Sequence, residues 1–143
     1  MTSIKMKKKL EVKNSGVVIL GTPDTKRGGL FVAEAKKHIP FEIKRVYFIN
    51  KLSKKSVPRG DHAHKTNTQV IVCLNGSFDL HLDDGTNKQT LCLDNPSEGI
   101  ILGPKLWHTM KNFSNNCTIA VFASHYYDEQ DYIRHYSDFL TFI

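Results

Sequence analysis

The chain has 143 residues, of which 40% are hydrophobic and 24% charged, a composition typical of one globular domain with a single core. We therefore predict one domain over residues 1–143, in which residues 1–14 form a flexible or strand-exchanging segment. We expect a cytoplasmic protein without membrane contact, because no apolar run is long enough for a signal peptide or a membrane span. The net charge is +6, but the cations are scattered and no nucleic-acid-binding motif is visible, so the charge gives a phosphate-bearing small molecule as much weight as nucleic acid. The partner that we expect is a small molecule and not a nucleic acid.

Turn residues recur about every 8–12 residues, a spacing typical of a sandwich or barrel of short strands. The alternation is cleanest in residues 77–83, where Phe78, Leu80 and Leu82 share one face of the predicted strand. Asn75-Gly76 predicts a tight hairpin before this strand, and residues 51–57 predict a basic, flexible loop. The predicted strands cover residues 17–20, 30–33, 45–49, 68–74, 77–83, 89–93, 99–102, 106–110 and 117–123.

The end of the chain changes its period. Apolar residues between 132 and 143 recur at helical spacing, which predicts a C-terminal helix with Asp128 as its N-cap and Asp131 three residues later. The fold class is therefore predicted as all-β, a jelly-roll barrel with a short C-terminal helix, and the interior of such a barrel can hold a small ligand. The three cysteines lie in apolar stretches, which predicts buried free thiols without a disulfide framework.

The candidate site begins with His62 and His64, which are two residues apart. On a strand both imidazoles point to the same side, and Arg59 and Lys65 lie close to them in the sequence. Two imidazoles held in this way either bind a metal or move protons.

A jelly roll with His-x-His resembles the cupin superfamily. The first cupin motif, a His-x-His followed by Glu and Gly, is matched by His62, His64, Gln69 and Gly76. The second motif is matched by Pro104, His108 and Asn112, with one residue missing between the proline and the histidine.

Gln69 stands where cupins carry their acidic metal ligand, and its amide supplies no negative charge. Three imidazoles still suffice for zinc or copper. Arg59 and Lys65, however, oppose a second cation and favour an anion. We therefore expect neither a metal nor any other cofactor.

Five blocks in the same order resemble the dTDP-sugar 3,4-ketoisomerases, also called WxcM-like proteins, over about residues 15–143. The blocks are residues 43–47, 59–65, 69–77, 103–108 and 123–129. The resemblance implies that the partner is a dTDP-linked keto-deoxysugar, dTDP-4-keto-6-deoxy-D-glucose, whose ketone moves from C4 to C3 through an enediol. Because cupin-like barrels associate through sheet edges, we also expect a homodimer.

This reaction needs only proton transfer, so His62 and His64 are the predicted catalytic acid–base pair. Tyr47 or a protonated histidine would stabilise the developing oxyanion. The predicted substrate-binding residues are Arg27, Arg45, Tyr47, Arg59, Lys65, Gln69 and His108.

Strand parity constrains two of these predictions. Arg45 and Tyr47 share one face of their strand, which the resemblance places inside the barrel, whereas Val46 and Phe48 would face a packing layer. Arg59 and His62 have opposite parity, so Arg59 needs a bulge at Gly60 or must approach from the rim.

In the family, positions that match Arg27 and His108 distinguish the branch that makes the galacto-configured product, so we expect dTDP-3-keto-6-deoxy-D-galactose. Asp61 and Thr109 depart from the family pattern, which usually has an aromatic residue and Glu there. The alternatives are a gluco-configured 3-keto product, a dTDP-4-keto-sugar 3,5-epimerase, a metal-dependent cupin oxygenase and a non-catalytic cupin that binds sugar nucleotides.

Overall fold

The computed structural model describes residues 10–22 and 26–143 and consists mainly of two five-stranded antiparallel sheets. The first sheet contains, in spatial order, β1 (Ser15–Ile19), β9 (Glu98–Leu102), β6 (Gln69–Asn75), β11 (Cys117–Ala123) and β4 (Arg45–Leu52). The second contains β12 (Tyr132–Ile133), β5 (Arg59–His64), β10 (Trp107–Lys111), β7 (Phe78–Asp83) and β8 (Lys88–Leu93). A small third sheet pairs β2 (Gly21–Thr22) with β3 (Leu30–Phe31). The predicted all-β jelly roll with a short C-terminal helix is confirmed.

The largest core cluster lies between the two large sheets, where the strands turn apolar side chains toward each other. A second cluster, which includes Val70 and Val72 of β6, covers the opposite face of the first sheet. In β7, Phe78, Leu80 and Leu82 are all buried, as their alternation predicts, and they pack with Ile71 and Val121 from the opposite sheet. The segment before β1 contributes Val12 to the same core, whereas residues 1–9 of the predicted N-terminal segment lie outside the described residues.

The outer face of the second sheet is covered by α1 (Tyr136–Phe142). Phe139 of this helix packs on Ala63, Trp107 and Ile133. Since neighbouring residues of a strand point to opposite sides, the burial of Ala63 under the helix sends His62 and His64 into the barrel.

The C-terminal helix is shorter than its period predicts. A 3₁₀ turn, Glu129–Asp131, comes first, and the side chain of Asp128 caps this turn instead of the α-helix. Tyr132 and Ile133 then pair with His64 and Ala63, so they form β12 at the edge of the second sheet. Backbone pairing with β5 satisfies groups that a helix at this position would leave without partners.

Three further expectations are wrong in detail. Lys51 and Leu52 continue β4 because Leu52 packs in the core, so the predicted loop begins later. Cys92 is exposed, because it alternates outward between two buried leucines of β8. Val46 and Phe48 are 43% and 67% exposed, so the outer face of β4 meets no packing layer within the described residues. None of the described helices has the length and apolar character needed to cross a membrane.

Candidate active site

Three imidazoles meet inside the barrel. The ring of His62 contacts the rings of His64 and His108 edge-on, with centroids 4.9 and 4.6 Å apart. His62 and His64 come from β5, and His108 comes from β10, where it lies opposite His62 in the register. One nitrogen from each ring lies within 4.8 Å of the other two, so the cluster is close enough to act as a unit.

Asp131 fixes the orientation of His64. Its carboxylate lies 3.0 Å from Nδ1 of His64 and also accepts hydrogen bonds from the backbone N–H and hydroxyl of Thr66 and from the backbone N–H of Asn67. These bonds hold the pKa of Asp131 below its usual range against the opposing effect of burial. A carboxylate beside Nδ1 keeps a proton on that nitrogen and leaves Nε2 as a buried acceptor without a partner among the described residues.

All three imidazoles favour the neutral form. Burial, followed by the neighbouring His64, lowers the pKa of His62 to about 4. Burial also lowers the pKa of His64, although Asp131 opposes this shift, and it lowers the pKa of His108 well below its ordinary value. The cluster is therefore uncharged at pH 7 and can accept protons.

A second polar pair lies across the barrel, where Gln69 of β6 is 1% exposed and donates from its amide to the hydroxyl of Tyr47 at 3.0 Å. Burial raises the pKa of Tyr47, so its hydroxyl keeps its proton near neutral pH. Tyr47 can consequently donate a hydrogen bond into the space that it shares with His62.

A cleft of about 800 Å³ opens beside His62. Four cations line it, namely Arg45, Lys51, Arg59 and Arg134, and its described lining contains no carboxylate. The guanidinium Nε of Arg45 is buried and has no hydrogen-bond partner among the described residues. A cleft with this lining favours an anionic ligand.

The predicted bulge brings Arg59 into this cleft. Asp61 is the extra residue, because His108 pairs with His62 and Thr109 pairs with Gly60. Both Gly60 and Asp61 have positive φ, at 85° and 54°. The bulge therefore reverses the parity that would otherwise separate Arg59 from the histidines.

Two predicted binding residues lie elsewhere. Lys65 follows the end of β5, is exposed and does not line the cleft. It lines a depression with Glu129 and Asp138 that shares only Tyr132 and Arg134 with the cleft. Arg27 is exposed in the turn before β3 and does not line the cleft. His64 and His108 are buried against His62, and Gln69 is buried beside Tyr47. Arg45, Tyr47 and Arg59 line the cleft together with His62.

Four site residues were missed from the sequence: Lys51, Asp131, Tyr132 and Arg134. The last three lie in the segment whose helical period concealed them. The Tyr132 ring contacts both His62 and His64, with centroids 4.8 and 4.5 Å away, and the Arg134 guanidinium stands 4.4 Å from the centroid of that ring. The capping residue Asp128 was the one local signal in the sequence, because it caps the 3₁₀ turn that precedes these residues.

The three imidazole nitrogens also have the spacing and chemistry to hold a divalent cation such as zinc, and a carboxylate behind a ligating histidine is common in such sites. A metal held there would polarise a carbonyl. Gln69 occupies the place of the acidic ligand, and its amide N–H donates a hydrogen bond to Tyr47.

Comparison with known proteins agrees with this geometry. A curated relative from Aneurinibacillus thermoaerophilus, TDP-4-oxo-6-deoxy-alpha-D-glucose-3,4-oxoisomerase, is 52% identical over 117 residues, which are 82% of this chain and 84% of the relative. The 3,4-ketoisomerase QdtA from Thermoanaerobacterium thermosaccharolyticum, solved as a double mutant with TDP, superposes with a TM-score of 0.86 at 42% identity, over 91% of this chain and 94% of QdtA. The TDP-quinovose 3,4-ketoisomerase WlaRB from Campylobacter jejuni superposes with a TM-score of 0.84 at 43% identity, over 91% and 99% of the two chains. The family described as FdtA: WxcM-like, C-terminal, matches residues 13–143, and the chain belongs to this family of cupin-fold isomerases.

Proposed function

We propose that the protein is a TDP-sugar 3,4-ketoisomerase that converts TDP-4-keto-6-deoxy-D-glucose to TDP-3-keto-6-deoxy-D-galactose by moving protons through His62 and His64. The observation that carries the proposal is a cluster of neutral imidazoles beside a cleft lined with cations and without a described carboxylate. Cations suit a diphosphate, and neutral imidazoles suit proton abstraction next to a ketone.

The diphosphate would bind at Arg45 and Arg59. The buried Nε of Arg45 lacks a partner among the described residues, and a phosphate oxygen would supply one. The guanidinium of Arg45 lies 5.4 and 5.7 Å from the ring centroids of Tyr47 and Tyr127, which hold it at the cleft. Arginine suits this task because its planar fork donates to two oxygens at once.

His64 is the better candidate for the base that removes the proton from C3. Its Nδ1 faces Asp131, so its Nε2 is the free acceptor, and the carboxylate stabilises the imidazolium that forms. The lowered pKa of His64 keeps the ring neutral before the reaction. His62 has no carboxylate hydrogen-bonded to its ring among the described residues, and its ring meets that of His64 edge-on.

The protons balance with these two residues. His64 takes the proton from C3 and passes it to O4, which gives the enediol. His62 then takes the proton from the O3 hydroxyl and delivers it to C4, so that a ketone forms at C3 and both imidazoles return to the neutral state. The hydroxyl of Tyr47 would donate a hydrogen bond to the intermediate oxyanion.

The proposed galacto configuration rests on the family resemblance at Arg27 and His108, of which only His108 lies at the site, since Arg27 does not line the cleft. His108 lies against His62, where it can influence the face from which C4 is protonated. The second candidate is the gluco-configured product, because the relative from Campylobacter jejuni is described as acting on TDP-quinovose, which is a 6-deoxyglucose. The C4 configuration of the product, read from its proton coupling constants, separates the two.

We propose a homodimer as well. Strand β4 lies at an end of its sheet, and its outer face exposes Val46 and Phe48. An apolar edge of this kind is a ready template for a second copy of the chain. Light scattering tests this proposal, and a monomer at micromolar concentration would contradict it.

The activity is tested by incubating the protein with TDP-4-keto-6-deoxy-D-glucose in D₂O and following deuterium by NMR. The proposal expects a 3-keto product with deuterium at C4, or deuterium at C3 of recovered substrate, and replacement of His64 by Asn should abolish both. Exchange at C5 would indicate a 3,5-epimerase, and TDP binding without exchange would indicate a non-catalytic binder. The same experiment after chelation tests the metal-dependent alternative.

A further inference from the structure

The ring of His62 has no side-chain hydrogen bond among the described residues. Both of its nitrogens are buried and lack a partner at hydrogen-bonding geometry, and its contacts are with the rings of His64, His108 and Tyr132. The backbone of Gly60, which lies in the bulge, is the polar group that opposes the effect of burial on the pKa of this ring. His64 differs, because Asp131 anchors its Nδ1. The position of the His62 ring therefore depends on the backbone that carries it.

That backbone is the bulge at Gly60 and Asp61. Asp61 has a φ of 54°, which side-chain-bearing residues rarely adopt, and a Cβ on Gly60 would approach the carbonyl oxygen of His108 to 2.9 Å. At Gly60 the bulge thus leaves no room for a side chain, and at Asp61 it uses a backbone conformation that costs free energy. A bulge of this kind keeps its conformation only when surrounding interactions stabilise it.

A side-chain bond crosses the bulge at this place. The hydroxyl of Thr109 donates to Oδ1 of Asp61 at 2.7 Å, which joins the residue before His62 to the residue after His108. We propose that Asp61 and Thr109 are positioning residues, which hold the bulge so that His62 keeps its place between His64 and His108. This inference rests on the proposed function, in which His62 delivers the proton to C4.

The consequence for the reaction is selective. His64 keeps its own anchor when the Thr109–Asp61 bond is lost, so abstraction at C3 should persist, whereas delivery at C4 should become slower. The ratio of C3 exchange in recovered substrate to product formation then rises. A general loss of folded protein would lower both rates together and leave this ratio unchanged.

The test compares T109V, T109S and wild type, with T90V as the matched control. Thr90 also bonds across neighbouring strands of the second sheet, to His81 at 3.0 Å, but it lies on β8, away from the bulge. We expect T109V to raise the ratio by about tenfold, the worth of one charge-assisted hydrogen bond, and we expect T109S to restore it. T90V should match wild type.

NMR of the His62 ring provides a readout that does not depend on turnover. T109V should shift or broaden the ring signals of His62, assigned with an H62N variant, and T109S and T90V should not. Unchanged signals and an unchanged ratio in T109V, or a failure of T109S to restore them, would overturn the inference. An inactive wild type would overturn the proposed function instead, and the ring signals would still decide for or against the positioning role.

Discussion

Replacing Asp131 by Asn tests the assignment of His64 as the base. The carboxylate accepts four hydrogen bonds, from His64, from two groups of Thr66 and from Asn67. An asparagine that keeps its carbonyl oxygen on Thr66 turns its NH₂ group toward His64. That group donates to Nδ1 and moves the ring proton to Nε2, which is the nitrogen that must accept the proton from C3.

The size of the effect follows from these bonds. Loss of one hydrogen bond to a charged group is worth about 1.5–3 kcal/mol, or roughly a 10- to 150-fold fall in kcat. The wrong tautomer adds to this, since the same substitution in a Ser-His-Asp triad lowers kcat by about 10⁴. We therefore expect kcat to fall by between about 10² and 10⁴ in D131N.

The pH dependence supplies an independent signature. Burial lowers the pKa of His64, and the hydrogen bond and charge of Asp131 raise it back toward its ordinary value. Without the carboxylate this pKa falls further, so the acid limb of kcat/KM, where the base becomes protonated, should move to lower pH.

The assay follows product formation by NMR from pH 4 to 8 and C3 exchange in D₂O. D94N, which removes an exposed carboxylate after β8, is the charge-matched control and should retain full activity. Thermal unfolding confirms that each variant is folded. If D131N keeps more than half of the wild-type kcat with an unmoved acid limb, Asp131 does not set the tautomer of His64 and the assignment of the base is wrong.

Three other predictions concern binding, stability and metal. R45Q should weaken TDP binding, measured by calorimetry, at least about tenfold, because a buried charge-assisted contact is lost. K44Q, which changes the exposed neighbour, should leave the affinity unchanged. Equal affinities of R45Q and wild type would exclude Arg45 from the diphosphate site. The pKa of His62 is about 4 in the folded protein against 6.5 ordinarily, so the unfolded state binds more protons between these pH values. The free energy of unfolding should therefore fall by about 3 kcal/mol as the pH drops from about 6.5 to about 4. Urea titrations of H62N should show a flatter dependence on pH. Chelation should leave kcat unchanged, and a loss that zinc restores would establish a metal at the three imidazoles.

Strand parity explains which site residues the sequence could reveal. The burial of Phe78, Leu80 and Leu82 and the shared side of His62 and His64 both follow from alternation and were predictable. Lys65 was predicted from its adjacency to His64, but β5 ends at His64 and Lys65 lies exposed outside the cleft. Adjacency in sequence alone therefore did not bring this residue to the site.

The residues that the sequence did not reveal owe their positions to tertiary strand pairing. Apolar spacing in residues 132–143 fits a helix, but β5 offers an unpaired strand edge, and Tyr132 and Ile133 satisfy it. No local pattern contains that edge, because it lies more than 60 residues earlier in the chain. The role of Asp131 was concealed for the same reason, since its partner becomes visible only when the strand is in place.

The 3₁₀ turn and β12 control different properties of the site from those that the barrel strands control. The barrel strands fix where the imidazole rings lie. The short segment from Glu129 to Arg134 sets the tautomer of His64 through Asp131 and adds the Tyr132 ring and the Arg134 charge beside the imidazoles. Its described residues, apart from Ile133, contribute no side chain to the buried hydrophobic clusters. Substitutions at its exposed residues, Glu129, Gln130 and Arg134, can alter the charge beside the cleft at little expense to folding, so we expect ligand preference to change most easily at these positions.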